Sequence, residues 1–144
     1  PMSTQNEMTL EELKDNFEFL GDWEQRFTYL LDLGKKLPEM DEADMNEQTR
    51  VHGCQSTVYL KEQVEPTEPP TIWFVATSDA YIVRGLIAIL QVIYNGKTPA
   101  QVVETDAVGT LKELGLEEHL SPTRRNGLHA MVQRIRTLAQ QHQA

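Results

Sequence analysis

Apolar residues recur at helical spacing from the first part of the chain. Thr9 and Glu12 form a capping-box pair, and Leu10, Leu13, Phe17 and Leu20 then share one face of a helix that Gly21 ends. Asp22 can cap a second helix, with Trp23, Phe27, Leu30 and Leu31 as its apolar face, Gly34 near its end and Pro38 beyond it. From Pro38 to Arg50 the chain is acidic and has no apolar rhythm, which predicts a solvated loop with at most a helical turn.

The period then changes. Ser56 to Val64, with Val58, Tyr59 and Leu60, and Thr71 to Thr77, with Ile72, Trp73, Phe74 and Val75, are rich in β-formers and predict two antiparallel strands. Between them, Glu65-Pro66-Thr67-Glu68-Pro69-Pro70 holds three prolines that cannot donate to a ladder, so it reads as the hairpin loop. A weaker signal at Thr49 to Val51 suggests a third, short edge strand. Ser78 or Asp79 is expected to cap a helix from about Ala80 to Tyr94, closed by Asn95-Gly96. That segment is apolar nearly all round, with Arg84 and Gln91 on one stripe, as suits a helix buried against a sheet. Thr98-Pro99 opens a short helix through Glu104, and Ala107 to Leu114 makes another that Gly115 ends. Ser121-Pro122 opens a long one, with Leu128, Met131, Val132, Ile135 and Leu138 along one face. The elements predict an α+β fold: a small antiparallel sheet with helices packed largely on one side.

With 144 residues, 40% apolar and 24% charged, the chain is expected to form one globular domain over residues 2–144. Pro1, ahead of Met2, is set aside as a non-native remnant. Gly85 to Leu90, the longest strongly apolar stretch, is far short of the ~20 residues that span a bilayer, and no basic-then-apolar leader is seen. The expectation is a cytoplasmic protein without a membrane partner. Residues 1–47 hold 13 acids and 4 bases and so carry the whole net charge of −9, while the rest is balanced. An acidic chain with no basic stripe argues against nucleic acid as a partner. Arg124, Arg125, Arg134 and Arg136 read as the solvent face of the last helix.

The single cysteine, Cys54, cannot form an internal disulfide or assemble a multi-thiolate metal site. It lies in His52-Gly53-Cys54-Gln55-Ser56, between the acidic loop and the first strand, where a rigid sheet can present one atom to a partner. Gly53 beside it gives backbone freedom and removes a side chain next to the sulfur. If extended backbone continues back from Val58 and Leu60, parity puts Cys54 on their face, towards apolar material. Burial raises a thiol's pKa, so a working Cys54 has to become exposed or meet a basic group. The residues leave other readings open. Cys54 can be a small buried hydrophobe, or the nucleophile of a hydrolase with His52, His119 or His129 as base. The chain can also be an interaction module that uses its acidic face. No phosphate-binding glycine loop or metal-ligand spacing is present, and Trp23, Phe27 and Trp73 fall at core rhythms.

Five blocks carry a resemblance. They are Trp23 with Leu33-Gly34-Lys35-Lys36-Leu37-Pro38, then His52-Gly53-Cys54-Gln55-Ser56, then Ser78-Asp79-Ala80 with Ile82-Val83-Arg84-Gly85-Leu86-Ile87-Ala88, then Leu120-Ser121-Pro122-Thr123-Arg124, then Gly127-Leu128. In this order and spacing, over roughly residues 10–140, the chain closely resembles the SufE family of sulfur-acceptor proteins. The resemblance implies an α+β fold of the SufE/IscU-like kind. It also implies a carrier rather than a classical enzyme, which takes sulfane sulfur from the persulfide of a cysteine desulfurase, stimulates that desulfurase, and delivers sulfur to an iron–sulfur scaffold. By the same resemblance Cys54 is the acceptor, supported by His52, Gly53, Gln55 and Ser56 of its loop. Arg124 would help to dock the desulfurase, and Asp79 would lie near the contact surface and influence the loop's mobility. The partners implied are a SufS-type or CsdA-type cysteine desulfurase and a SufBCD-type scaffold complex. Pyridoxal phosphate belongs to the desulfurase, with no cofactor or metal expected on this chain. A homodimer is left open.

Overall fold

The computed structural model describes residues 8–143. Among them, six α-helices accompany one two-stranded antiparallel sheet, an α+β fold consistent with SufE. Helix α1 (Leu10–Leu20) starts at Thr9, whose hydroxyl accepts from the Glu12 N–H, and α2 (Trp23–Lys35) starts at Asp22, whose carboxylate accepts from the Gln25 N–H. The acidic loop that follows holds a short helical turn at Glu42–Asp44. Strands β1 (Val58–Glu65) and β2 (Thr71–Ser78) pair in one register, from Val58 opposite Ser78 to Glu65 opposite Thr71.

One sheet face is apolar and covered. Ile87 and Leu90 of α3 (Tyr81–Tyr94) meet Ile135 of α6 (Pro122–Gln141) over Leu60, Phe74 and Ala76. The all-round apolarity of α3 follows from its position, because its other side packs on α2. That crossing is made by two glycines. A Cβ at Gly85 would lie 2.2 Å from the Leu30 carbonyl oxygen, and one at Gly34 would lie 2.5 Å from that of Tyr81. Helix α1 covers α2 further out, where Phe17 and Tyr29 meet edge to face at 5.6 Å and Arg26 donates to the Phe17 carbonyl. The short helices α4 (Pro99–Glu104) and α5 (Ala107–Glu113) pack against α6.

Both edges of the sheet are supplemented. On the β2 side, the Asn95 side chain accepts from the Phe74 N–H and the Gln91 amide donates to the Phe74 carbonyl. Ile72 exchanges backbone bonds with Lys97 and Gly96. On the β1 side, the expected strand at Thr49 to Val51 is reduced to one bridge, Arg50 opposite Tyr59. The Val51 N–H donates to Val58 and the Leu60 N–H donates to Thr49.

Three expectations need correction. Phe27 is 39% exposed, because α2 meets α3 through Leu30 and Gly34, and that stripe passes it by. Trp73 occupies the outer sheet face, half-exposed, against Gly96. Neither Ser78 nor Asp79 is the cap residue of α3. That residue is Ala80, which has no side-chain bond to give, while the Ser78 hydroxyl accepts from the Ala80 N–H and Asp79 is used elsewhere.

Candidate functional site

Because Arg50 and Val51 pair with Tyr59 and Val58, residues 52–57 form a hairpin loop with Cys54 near its middle. This loop lies along α6. Gly53 takes a φ of +89°, and a Cβ there would also press to 3.3 Å against the Ala130 Cβ, so glycine satisfies both the turn and the close approach. Cys54 follows, half-buried, with its Sγ donating to the Gly127 carbonyl at 3.5 Å. A Cβ on Gly127 would sit 3.5 Å from that sulfur, so a bare backbone forms the wall next to the thiol. The thiol faces inward, though the cause is the turn at Gly53 and the seat on α6 rather than extended-strand parity.

Arginine and aspartate side chains fasten the loop. Arg124, in the first turn of α6, donates to the Ser56 hydroxyl at 3.3 Å. The exposed Asp79 carboxylate accepts from the Thr57 N–H at 3.1 Å, so it pins the point where the loop becomes β1. Arg134, two turns after Gly127, donates to the carbonyls of Gln48 and Arg50 just before the loop. The solvent-face reading of the last helix's arginines therefore fails for Arg124 and Arg134. Side-chain spacing explains why both reach the loop, since residues 124, 127, 130/131 and 134 share one face of a helix. His52 and Gln55 are exposed.

Next to the sulfur is a cavity of about 40 Å³, with Val58, Val83, Leu86, Leu128 and Met131 as its apolar side and Arg124 at its polar side. Burial pushes the Cys54 thiol pKa up, opposed by the nearby charges of Arg124 and then Arg50. The resting group is a protonated thiol bonded to a carbonyl, next to two guanidinium groups that favour the thiolate once water reaches it.

Each histidine considered as a base is engaged elsewhere. His52 pairs with Glu47 at 3.0 Å, His119 stacks on Trp23 at 4.1 Å, and His129 pairs with Glu117. Among the described residues, no three His, Cys, Asp or Glu side chains gather as a metal-binding group. No helix among them is long and apolar enough to cross a membrane.

The comparisons with known proteins meet this geometry at its sequence blocks. The family model described as "SufE: Fe-S metabolism associated domain" matches residues 11–139, which include Cys54, Asp79, Arg124 and Arg134. The chain belongs to the SufE family. It is 41% identical over 133 residues to a SufE-like protein of Rhizobium meliloti (strain 1021), covering 92% of this chain and 95% of that one. A SufE-like protein of Rhizobium etli is 43% identical over 129 residues, covering 89% of this chain and 87% of the relative. A role in iron–sulfur metabolism follows from membership of the SufE family.

Ala130 and Arg134 are the parts of the site that sequence reasoning missed, and Gly127 was noted without a role. The signal was present as two small residues three apart, Gly127 and Ala130, on an otherwise apolar helix face with an arginine at either end.

Proposed function

We propose that this SufE-family chain accepts sulfane sulfur on Cys54 from the persulfide of a cysteine desulfurase, stimulates that desulfurase, and hands the sulfur to an iron–sulfur scaffold. The observation that carries the reading is the chain's one cysteine, set in a pinned loop over a small cavity that is apolar on one side and polar, at Ser121, Thr123 and Arg124, on the other. In the transfer, the Cys54 thiolate attacks the outer sulfur of the donor persulfide. The donor's sulfur–sulfur bond breaks, a bond from that sulfur to Cys54 Sγ forms, and the donor cysteine leaves as a thiolate. One sulfur atom changes owner with no net oxidation or reduction, so the acceptor needs no metal or cofactor of its own. Pyridoxal phosphate remains the desulfurase's group, and a SufS-type or CsdA-type enzyme and a SufBCD-type scaffold are the partners this chemistry calls for.

The local physics supports this division of labour. A buried thiol is a poor nucleophile, so Cys54 idles safely in the absence of a donor. An outward movement of the loop would lift the burial penalty, and in the seated position Arg124 and Arg50 already oppose it. Afterwards, about 40 Å³ beside Sγ gives room for one added sulfur, since about 10–15 Å³ measured in this way holds a water. The absence of a second thiol in the chain also removes any internal group that would discharge the persulfide.

Intact mass tests the reading. After incubation with a cysteine desulfurase, pyridoxal phosphate and cysteine, the chain is expected to gain one sulfur atom, reversed by a thiol reductant. Cys54→Ser should gain none and should lose desulfurase stimulation while keeping the wild-type circular dichroism. Stimulation that survives in Cys54→Ser would refute acceptance at this residue.

A further inference from the structure

The Cys54 loop and α6 run antiparallel, so each part of the loop meets its own turn of the helix. Ser56 meets Arg124, Cys54 meets Gly127, Gly53 meets Ala130, and the segment before the loop meets Arg134. The two ends are held differently. At the outgoing end, Thr57 joins a regular eight-residue ladder and Asp79 adds a second tie. The incoming end has no ladder: it has the isolated bridge at Arg50, with two backbone bonds, and the buried side chain of Val51. The remaining carbonyls of Gln48 and Arg50 point towards α6, where the Arg134 fork takes both: Nη1 to Arg50 at 3.1 Å and Nη2 to Gln48.

We infer that Arg134 is the positioning residue of the incoming end of the Cys54 loop, and that its two bonds set how often the loop leaves α6. The inference rests on the reading of Cys54 as the sulfur acceptor and adds to it the element that governs access to the thiol. The fork is essential to the assignment. A planar guanidinium can address two carbonyls two residues apart at once, whereas an ammonium acts as a point charge. Because the acceptors are backbone atoms, the clamp is indifferent to which side chains occupy positions 48 and 50. It restrains the path of the chain rather than a particular side chain. Asp79 and Arg124 act beyond Cys54 and cannot substitute for a hold placed before it.

The test uses the chain alone, with no desulfurase present. Amide exchange is followed at Val51 and Leu60, whose N–H groups make the incoming bridge, and at Ile89 in the middle of α3 as a measure of global opening. Alkylation of Cys54 by iodoacetamide is timed on the same samples. Arg134→Ala is expected to speed exchange at Val51 and Leu60 and alkylation of Cys54 by on the order of 3- to 10-fold, with Ile89 unchanged. Arg134→Lys, which keeps the charge without the fork, recovers at most part of that difference. Unchanged exchange and alkylation in Arg134→Ala would overturn the assignment. So would a rise shared equally by Ile89, which marks general destabilisation, or an Arg134→Lys variant identical to wild type, which marks charge alone. None of these outcomes depends on sulfur transfer. Failure of the clamp is therefore separable from failure of sulfur acceptance, which is read by intact mass.

Discussion

Replacing Gly85 and Gly127 by alanine should have opposite effects on stability, although both lie inside helices and both changes raise helix propensity by about 1 kcal/mol. At Gly85 the new Cβ would be 2.2 Å from the Leu30 oxygen and 2.9 Å from both the Leu30 carbonyl carbon and Cγ. The oxygen belongs to the backbone of α2 and cannot rotate away. Helix α2 must therefore withdraw from α3 by roughly 1 Å, and a gap of that size forfeits a quarter to a half of each dispersion contact along the crossing. Overpacking of this severity costs on the order of 3–5 kcal/mol, which leaves a net loss of about 2–4 kcal/mol after the propensity gain. For a chain of this length that corresponds to a fall in Tm of roughly 5–15 °C. At Gly127 the nearest atom to the new Cβ is Cys54 Sγ at 3.5 Å, an ordinary contact, so stability should rise by up to about 1 kcal/mol. Urea titration followed by circular dichroism reads both values, with equal slopes required for the comparison. If Gly85→Ala falls within about 0.5 kcal/mol of wild type, or if Gly127→Ala is the more damaging of the two, the helix crossing is not set by glycine and the reasoning fails.

Two further perturbations probe separate parts of the molecule. Tyr94 is fully buried with no hydrogen-bond partner for its hydroxyl among the described residues, and burial pushes its pKa from 10 to about 12, with Asp106 adding and Arg136 opposing. Above pH 10 the unfolded phenol ionises first while the folded one stays protonated, so folding stability drains away from about pH 10 to about pH 12 and is unaffected below. Tyr94→Phe should match or exceed wild-type stability at pH 7 by up to about 1–2 kcal/mol, and should lose less on going to pH 11. A wild-type loss identical to the variant's would count against an ionising Tyr94. Asp79→Ala removes the acceptor of the Thr57 N–H and should cost about 0.5–1.5 kcal/mol, with faster exchange of the Thr57 amide. Thr57 exchange at the wild-type rate in that variant would show that Asp79 does not hold the loop.

Local features were the legible ones. Thr9, Asp22, Thr98 and Ser121 each cap the helix that follows them, because a cap is a contact across three residues and its partners are written side by side. The inner sheet face and the long stripe of α6 were likewise visible as periods of two and of seven per two turns. What escaped depends on partners far along the chain. Phe27 fits the rhythm of α2, but the width of the buried stripe is decided by where Gly34 and Gly85 let the helices cross. Asp79 sits where a cap is expected, yet its carboxylate answers Thr57, 22 residues earlier. Arg134 looks like any solvent-facing arginine until Arg50, 84 residues away, is laid beside it. Cys54 stood out through its uniqueness and its glycine neighbour, whereas the surface it rests on was marked only by the spacing of Gly127 and Ala130 between two arginines.

The amides of Asn95 and Gln91 that complete the outer edge of β2 have a consequence for how the protein behaves in a crowded solution. A two-stranded ribbon ordinarily leaves a row of donors and acceptors free on each strand, and such a row is a template on which another copy can add a strand. Here the bonds at Phe74 are taken by side chains from α3 and its C-cap, and those at Ile72 by the turn at Gly96 and Lys97. To pair at Ile72 and Phe74, an incoming strand would have to displace four satisfied groups. The smallest sheet that can carry the Cys54 hairpin is thus shielded from strand addition at the Ile72 and Phe74 positions of β2, and that protection comes from α3 and the turn that follows it.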